Sequence, residues 1–271
     1  MINVYEETDI PAAFYYATEA GFQRGQVTSF IHGITPGEVR QIAVAARNAG
    51  FQVDAVGCYV NPLRPEDSSL HGVDGLDWKT LAENMGMING VERLVCWSGT
   101  LGRTLTAPNL LNTEEETFNS LFIALSGLRE AVRGLPVQFL LEPFSAHVLS
   151  DAASCVRMAR RFPGGEVRVV LDAPNLIPAN SYAARNTLLP TLISALAPAV
   201  GLVHLKDIAQ GDDGQRRFDR PGLGGLDFGL YLRSIARSLP EVPVIIEQVT
   251  TIDEMRAARE YVQGILKEYG V

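Results

Sequence analysis

The segment VGLVHLKDI, residues 200–208, begins like a buried strand and ends in charged side chains. Its first four residues are apolar or glycine, which is typical of a strand covered on both faces of a parallel sheet. His204, Lys206 and Asp207 then follow within four positions. Ionisable side chains at the end of an apolar strand cost free energy unless something pairs with them. The segment therefore indicates a buried strand that ends in a polar site.

Apolar segments of the same kind recur along the chain and alternate with amphipathic segments. Residues 35–50 open with Thr-Pro and stop at a glycine, and residues 112–134 have acidic side chains in the first turn and basic ones in the last, as helices do. A last helix is predicted over 251–269. The predicted strands cover residues 26–31, 51–60, 93–99, 137–144, 167–175, 200–208 and 242–249, and a less regular eighth strand covers 2–6.

The alternation of strands and helices indicates parallel βαβ units. Eight such units close a (β/α)8 barrel, and an open doubly wound sheet is the alternative. The glycine-rich turn of the open sheet is missing after the first strand, and GLGG at 222–225 follows a loop rather than a strand. We therefore predict the α/β class and a (β/α)8 TIM barrel, with residues 1–271 forming a single domain.

The composition fits one barrel domain and argues against several classes of partner. The chain has 271 residues, 46% of them hydrophobic, which is enough for a substantial core. A net charge of −8 argues against nucleic acid, because phosphate-backbone binding needs clustered Lys and Arg. No apolar segment reaches membrane-spanning length, and MINVYEETDI lacks the apolar core of a signal peptide. We expect a cytoplasmic protein without a membrane partner, in which Cys58, Cys96 and Cys155 are reduced.

In each of four consecutive predicted strands, a single ionisable residue follows three mostly aliphatic residues. FLLE ends in Glu142, VVLD in Asp172, GLVH in His204 and VIIE in Glu247. The carboxyl ends of barrel strands meet at one mouth, where the chemistry of such barrels lies. Any one of these residues is equally well explained as a helix N-cap or as the partner of an Arg. Together they predict a divalent metal site, with Mn²⁺ expected and Mg²⁺, Co²⁺ or Zn²⁺ as alternatives, because a cation removes the mutual repulsion of the carboxylates.

These motifs resemble those of a known superfamily. LLEPF, VVLDAPN, LVHLKD and VIIEQV are similar to motifs of the sugar phosphate isomerase/epimerase superfamily, the xylose isomerase-like TIM barrels, and PGLGGLDFGLYLRSI resembles the turn before its seventh helix. The N-terminal half resembles it only in the rhythm of strands and helices. The resemblance implies one metal on the same four residues, a small-molecule sugar or sugar derivative as substrate, and, by analogy alone, a homodimer.

Several residues of this chain differ from those expected in particular branches of the superfamily, and these differences argue against some of its activities. The DNA-repair branch, typified by endonuclease IV, holds three metals with extra histidines, but this chain has only four histidines, and Asn175 and Pro221 stand at expected histidine positions. Ketose 3-epimerases have a second Glu where this chain has SAHVLSD and an Arg where it has LKDIAQ. Inosose dehydratases and enzymes that act on 3-keto-glycosides share the metal set and stay open as alternatives.

The expected reaction begins with proton abstraction from a carbon next to a carbonyl, and it passes through an enediolate. In the family-like interpretation, Glu142 and Glu247 flank the substrate as acid and base. His147 and Lys206 are further catalytic candidates. The alternatives are that His147 is a solvent-facing loop residue and that Lys206 pairs outward with Asp207.

Three further residues are candidates for substrate binding. Trp97 is expected to form a wall against a sugar ring or to pack in the core, and Asn175 to bond a hydroxyl or cap a helix. Arg217 lies with Arg216 and Arg220 in a predicted 18-residue loop, 209–226, without an element of its own. That loop either clamps a phosphate or carboxylate or forms a solvated turn. Residues 61–76 are predicted to form a second flap over the mouth.

The leading function is therefore a metal-dependent isomerase or epimerase of a sugar or keto-sugar. The alternative is a lyase, dehydratase or hydratase that acts on a 3-keto-glycoside or an inosose-type cyclitol. A third reading is a barrel that binds a sugar or a partner without catalysis, but the presence of all four predicted ligands argues against it.

Overall fold

The structure of the protein is a computed structural model. It describes residues 1–4, 8–29, 35–67, 75–211 and 216–270. Eight parallel strands form one sheet in chain order, and two further strands form a separate antiparallel hairpin. The sheet contains β1 (Ile2–Asn3), β2 (Arg24–Ser29), β3 (Gln52–Cys58), β4 (Arg93–Trp97), β5 (Gln138–Glu142), β6 (Val167–Leu171), β7 (Val200–Leu205) and β10 (Val244–Ile246). The hairpin contains β8 (Asp207–Gln210) and β9 (Arg216–Asp219).

The sheet curls so that its first and last strands meet. Parallel pairing runs from β1 to β7 and on to β10. At the two edges, the backbone nitrogen of Met1 donates a hydrogen bond to the carbonyl oxygen of Ile246 over 2.8 Å. Sequential parallel strands joined by helices are the arrangement of a (β/α)8 barrel. The predicted fold of eight parallel strands is therefore confirmed.

Helices connect the strands, and several begin at caps that are readable in the sequence. Thr35 and Glu38 form a capping box at one helix, and Thr251 and Glu254 do so at the last, so the predicted starts of these helices are confirmed. None of the helices in the described part of the chain is both long and apolar enough to cross a membrane. The helices are α1 (Ile10–Glu19), α2 (Pro36–Asn48), α3 (Trp78–Gly86), α4 (Glu115–Ala131), α5 (Ala152–Arg160), α6 (Ala173–Leu176), α7 (Arg185–Leu196), α8 (Phe228–Ser238) and α9 (Ile252–Tyr269).

The interior of the curled sheet is filled by side chains that alternate with those facing the helices. One buried cluster contains Tyr59 and six aliphatic residues. These six are here called the apolar layer: Ala55, Val95, Leu140, Val170, Leu202 and Ile245. Four of its members stand two positions before the four predicted metal ligands. Because side chains two apart on a strand share a face, this layer forms the floor beneath the mouth.

Two predictions about the loops need correction. The sequence predicts no element in 209–226, but the hairpin of β8 and β9 lies there, with Ile208 opposite Phe218. The two strands, DIAQ and RRFD, are short and carry charged residues, so the sequence lacks the clear apolar–polar alternation that would predict them. The strand predicted over 167–175 ends at Leu171, because Asp172 caps α6. Part of the predicted flap, 68–74, and part of the first predicted strand, 5–6, lie outside the described residues.

Candidate metal centre

The structure brings the four predicted metal ligands together at the mouth of the barrel. Glu142 ends β5, Asp172 follows β6, His204 lies in β7 and Glu247 follows β10. One potential ligand atom from each lies within 4.8 Å of the others, and all four residues are buried. The set of one imidazole and three carboxylates suits a divalent cation. These four residues and Lys206 are here called the charged layer.

The imidazole of His204 has one nitrogen that lacks a hydrogen bond. Its Nδ1 atom lies 3.0 Å from Glu142 Oε2 and 3.0 Å from Glu247 Oε1. Neither contact has the alignment of a hydrogen bond, so this buried atom has no hydrogen-bond partner. A buried nitrogen between two carboxylate oxygens is where a metal ligand is expected.

The other nitrogen of His204 is fixed by a chain of hydrogen bonds. Tyr59 donates its only hydroxyl proton to Glu142 Oε2 at 2.8 Å, so its oxygen accepts from Gln26 Nε2 at 3.1 Å. Gln26 Nε2 also donates to Thr28 at 2.9 Å. Gln26 Oε1 therefore faces His204 Nε2, 3.0 Å away, and that nitrogen must carry the proton. The lone pair of Nδ1 is left for a cation, so the donor set fits a metal.

Gly57 makes room for this hydrogen-bonded chain. A Cβ atom at position 57 would lie 2.7 Å from Thr28 Oγ1 and 2.8 Å from Tyr59 Cε2. Such contacts are shorter than van der Waals packing allows, so a larger residue would displace the Gln26 amide. The glycine is required here by a close approach of side chains rather than by its backbone angles.

Glu142 is held by two donors. Tyr59 binds one carboxylate oxygen, and Asn175 Nδ2 donates to the other at 2.9 Å. Burial and the nearby carboxylate of Glu142 raise the pKa of Tyr59, so the phenol stays a donor. Asn175 was predicted to bond a sugar hydroxyl or cap a helix. The structure shows that it orients Glu142, and its contact with a sugar hydroxyl stays a prediction.

Lys206 lies inside the mouth. Its Nζ atom is 2.5 Å from Asp172 Oδ2 and 3.1 Å from Glu247 Oε2. It does not pair with Asp207, whose carboxylate accepts backbone N–H groups from Ile208 and from the loop 222–226. The alternative of an outward Lys206–Asp207 pair is therefore wrong, because residues 202, 204 and 206 share the inner face.

The charges of this layer shift the pKa values of its members. Burial disfavours the imidazolium of His204, but Glu247 and Glu142 outweigh burial and raise its pKa to about 10. Burial raises the pKa of Asp172 to about 7 despite the opposing charge of Lys206. Burial also opposes ionisation of Glu247, but Lys206 and His204 prevail and lower its pKa. Without metal, a proton on His204 and the ammonium of Lys206 face three carboxyl groups, of which Asp172 is partly protonated near pH 7. A divalent ion would replace the proton on His204.

The structure places His147 behind Trp97. Its Nδ1 atom lies 3.0 Å from Ser98 Oγ and its Nε2 atom 2.8 Å from the carbonyl oxygen of Leu105. Burial lowers its pKa to about 4, so the ring is neutral near pH 7. Contrary to the solvent-facing alternative, the residue is buried. Both nitrogens contact protein groups here, and its role as a proton donor stays a prediction.

The other predicted substrate contacts lie in different places. Trp97 lines the cavity at the mouth, with its ring centroid 4.8 Å from that of Tyr59. Arg217 is exposed and pairs with Asp219 at 2.8 Å, so the structure does not bring it to the cluster. Its neighbour Arg216 points inward and donates to the carbonyl oxygens of Pro174 and Ile177. Successive side chains of a strand point to opposite faces, so Arg216 and Arg217 lie on opposite sides of β9.

The sequence reasoning missed Gln26, Thr28 and Tyr59 as supports of the ligands. A signal was present, because Gln26 and Thr28 are polar residues two positions apart in a strand that is otherwise buried. Polar side chains on one face of a buried strand need partners inside the barrel. A larger groove of about 950 Å³ lies between α1 and α2 on the outer surface, and its lining contains none of these residues.

The same fold occurs in solved structures of sugar epimerases. The chain is 16% identical to 3-keto-D-glucoside 4-epimerase from E. coli over 97% of both chains, with a TM-score of 0.70. It is 15% identical to a D-psicose 3-epimerase, over 98% of this chain and 95% of that one, with a TM-score of 0.70. A xylose isomerase domain protein from Planctomyces limnophilus is 14% identical over 99% and 98% of the two chains, with a TM-score of 0.71.

These similarities confirm the predicted resemblance to xylose isomerase-like barrels at the level of the fold. No family model matches the chain. No curated protein sequence matches it either.

Proposed function

We propose that this protein is a divalent-metal-dependent isomerase or epimerase of a sugar or keto-sugar, acting as one barrel domain. The observation that carries the proposal is the buried Nδ1 atom of His204, which has no hydrogen-bond partner and lies 3.0 Å from two carboxylate oxygens in a cluster of four potential ligands. The occurrence of the same fold in sugar epimerases supports the choice of substrate class.

Glu142, Asp172, His204 and Glu247 would hold the metal, which we propose to be Mn²⁺. Once bound, such an ion would supply polarisation of a substrate carbonyl and stabilisation of the charge that develops beside it. The bonds from Tyr59, Asn175 and Gln26 keep these side chains in place before any ligand arrives, so little ordering is left for the binding step.

The residues that line the cavity can move a proton. Glu142 and Glu247 both line it and come from strands on different sides of the barrel. In the proposed reaction, one of them, as the carboxylate, takes the proton from the carbon next to the carbonyl. The other, which enters the step as the carboxylic acid, gives its proton to the opposite face or the neighbouring carbon, so the two groups exchange protonation states. The ammonium of Lys206, beside Glu247, neutralises the enediolate that forms between the two transfers.

Elimination is the second candidate reaction, and the position of Lys206 favours it. Lys206 lines the cavity as a protonated, buried amine. Such a group can give a proton to a departing β-oxygen after the carbon has lost its proton, which would make the protein a lyase or dehydratase. An α,β-unsaturated carbonyl product absorbs in the ultraviolet, whereas an epimer does not.

Isotope exchange tests the proposal. The metal-loaded protein is incubated in D2O with keto-sugars and a 3-keto-glycoside, and deuterium on carbon is measured by mass spectrometry. We expect exchange by the wild type and its loss in Glu247→Gln at saturating Mn²⁺. Glu241→Gln is the matched control, because Glu241 is exposed and precedes β10 at the other end of that strand. Absence of bound metal and of exchange in the wild type would overturn the proposal.

A further inference from the structure

The short helix α6 (Ala173–Leu176) positions two residues of the candidate metal centre. Asp172 caps its start, and Asn175 within it donates its side-chain amide to Glu142. Both side chains reach the cluster from the backbone of this helix or from the residue directly before it. A shift of α6 would therefore displace one predicted ligand together with the support of another.

Helix α6 has four residues and is too short to hold itself in place. Such a helix forms few internal hydrogen bonds, and its last carbonyl groups have no partner within the helix. Other parts of the chain bind these groups here. The backbone N–H of Ser145 donates to the carbonyl oxygen of Asn175 at 3.0 Å. Arg216 Nη1 donates to the carbonyl oxygens of Pro174 and Ile177.

Arg216 belongs to the hairpin that follows the next strand of the barrel. That strand, β7, contains His204, and the hairpin of β8 and β9 begins at Asp207, directly after Lys206. The carboxylate of Asp207 fixes the base of the hairpin, because it accepts N–H groups of the loop 222–226 at 2.9 to 3.2 Å. It takes the place of an anion among these backbone donors. The hairpin thus connects the end of β7 with the helix that follows β6.

Aromatic rings hold the guanidinium of Arg216 against α6. Its Cζ atom lies 5.1 Å from the ring centroid of Phe144 and 5.0 Å from that of Phe218. The ring of Phe218 also has Lys206 Nζ at 4.7 Å from its centroid. A cation within about 6 Å of a ring centroid, over the face of the ring, is attracted to it. The hairpin therefore contacts both α6 and the ammonium of the charged layer.

The next residue of the same strand provides a contrast. Arg217 is exposed and pairs with Asp219, whereas Arg216 is half-buried. Withdrawal of a charge from water costs free energy unless hydrogen bonds replace those to water. The charge-assisted bonds of Arg216 to two carbonyl oxygens offset this cost. Its guanidinium is therefore committed to α6, while that of Arg217 stays in solvent.

We propose that Arg216 is a positioning residue of the metal centre, which holds α6, and through it Asp172 and Asn175, beside the other ligands. This inference rests on the proposed function, because the position of Asp172 affects the reaction only through a bound metal. Arg216 acts through the backbone of α6 and not as a ligand. The hairpin is then part of the site, although it was predicted as a loop.

Mn²⁺ binding to the full chain tests the inference. Arg216→Met keeps the length of the side chain and removes its charge and its donors. We expect Mn²⁺ affinity to fall about 10-fold, the lower end of the loss that supporting residues of a metal site cause. Arg217→Met, on the opposite face of β9, is the matched control and should bind Mn²⁺ like the wild type. Equilibrium dialysis followed by elemental analysis measures both affinities.

Two further measurements separate positioning from a general loss of stability. The electron paramagnetic resonance spectrum of bound Mn²⁺ reports the symmetry of its ligands, and at saturating metal it should change in Arg216→Met but not in Arg217→Met. In Arg216→Ala, millimolar guanidinium should restore Mn²⁺ affinity, because it can occupy the space beside Phe144 and Phe218. Potassium chloride at the same ionic strength should not. Arg216→Lys keeps the charge and should bind Mn²⁺ more tightly than Arg216→Met, which provides the test if the alanine variant does not fold.

The result that would overturn the inference is equal Mn²⁺ affinity in Arg216→Met and Arg217→Met, with the spectrum of the wild type in both. This failure is distinguishable from failure of the proposed function. A chain whose Mn²⁺ affinity depends on Arg216, but which exchanges no deuterium into any sugar, keeps the inference and loses the proposed reaction. A wild type that binds no metal loses both.

Discussion

The apolar layer and the charged layer lie on the same strands, two residues apart, yet they are stabilised in different ways. Leu140, Val170, Leu202 and Ile245 are buried among apolar side chains and need no specific partner. Removal of their surface from water contributes about 25 cal/mol per Å². The next inward-facing residues are ionisable, and their burial costs free energy unless each is paired.

Specific partners offset most of that cost in the charged layer, but two of its buried atoms, His204 Nδ1 and Asp172 Oδ2, have no hydrogen bond. Lys206 contacts Asp172 and Glu247, and Tyr59 and Asn175 bind Glu142. Asp172 Oδ2 contacts the ammonium of Lys206, whereas His204 Nδ1 faces carboxylate oxygens, and the other nitrogen of His204 contacts Gln26 Oε1. The comparison teaches that the lower layer maintains the barrel, whereas the upper layer contains four potential ligands that fit a divalent cation.

Removal of the imidazole is expected to have the largest effect. In His204→Ala the only nitrogen ligand is lost and three carboxylates remain to repel one another. Mn²⁺ affinity should fall by more than about 100-fold, beyond the loss that supporting residues cause. Equilibrium dialysis followed by elemental analysis measures this affinity. Leu202→Val, two residues earlier on β7, is the control and should bind the metal like the wild type.

Shortening a side chain of the apolar layer is expected to lower the free energy of unfolding. Leu202→Ala leaves a cavity in the floor of the mouth, and the free energy of unfolding should fall by about 2–5 kcal/mol. Urea unfolding followed by circular dichroism measures the change. The matched variant Val244→Ala changes a residue that is 41% exposed, and its loss should be under about 1 kcal/mol. Equal losses in the two variants would contradict the assignment of Leu202 to a packed layer.

His147 provides a buried ionisable group that belongs to neither layer. Its pKa is about 4 in the folded protein against an ordinary 6.5, so the unfolded chain binds the extra proton. Stability is therefore unaffected by this group above pH 6.5 and falls as pH decreases from 6.5 to 4, by about 3 kcal/mol in total. Unfolding measured at several pH values should show a shallower fall in His147→Gln. Parallel stability–pH profiles of the wild type and the variant would contradict the prediction, because they would show that His147 takes up its proton at the same pH in the folded and the unfolded chain.

The support of His204 by Gln26 should have the smallest of these effects. Gln26→Leu removes the acceptor that fixes the proton on Nε2, and Mn²⁺ affinity should fall by about 10- to 100-fold. Gln52→Leu, at the exposed start of β3, is the control. The ¹⁵N chemical shifts of His204 report the tautomer directly and should show the proton on Nε2 in the wild type. Gly57→Ala should act in the same direction, because its Cβ would displace the Gln26 amide. Unchanged affinity and tautomer in both variants would remove Gln26 from the site.

Much of the fold could be predicted from local sequence. The apolar runs that end in Glu142, Asp172 and His204 identify parallel strands, since a strand covered on both faces needs a continuous apolar stretch. The caps at Thr35 and Thr251 are equally local, because a side chain there binds a backbone group three residues away. The hairpin of β8 and β9 escaped prediction because its charged side chains hide a two-residue period.

The site was only partly predictable. The four ligands share a pattern along the sequence, whereas their supports do not: Gln26 is 178 residues from His204, and Tyr59 is 83 residues from Glu142. The inward direction of Lys206 and the outward direction of Arg217 depend on the face that each strand presents. A sequence shows which residue types are adjacent, but it does not show which way an individual strand is rotated.

The sequence by itself determined the parallel barrel, the helix starts and the four residues that crowd its mouth, because these follow from periodicity and from the cost of burying charge at strand ends. Only the tertiary structure decided which partners each ligand has, which nitrogen of His204 carries the proton, and that Asp207 fills an anion site with its own carboxylate. The physical reason is that hydrogen bonds act over about 3 Å in space, and only the folded chain brings such distant residues that close.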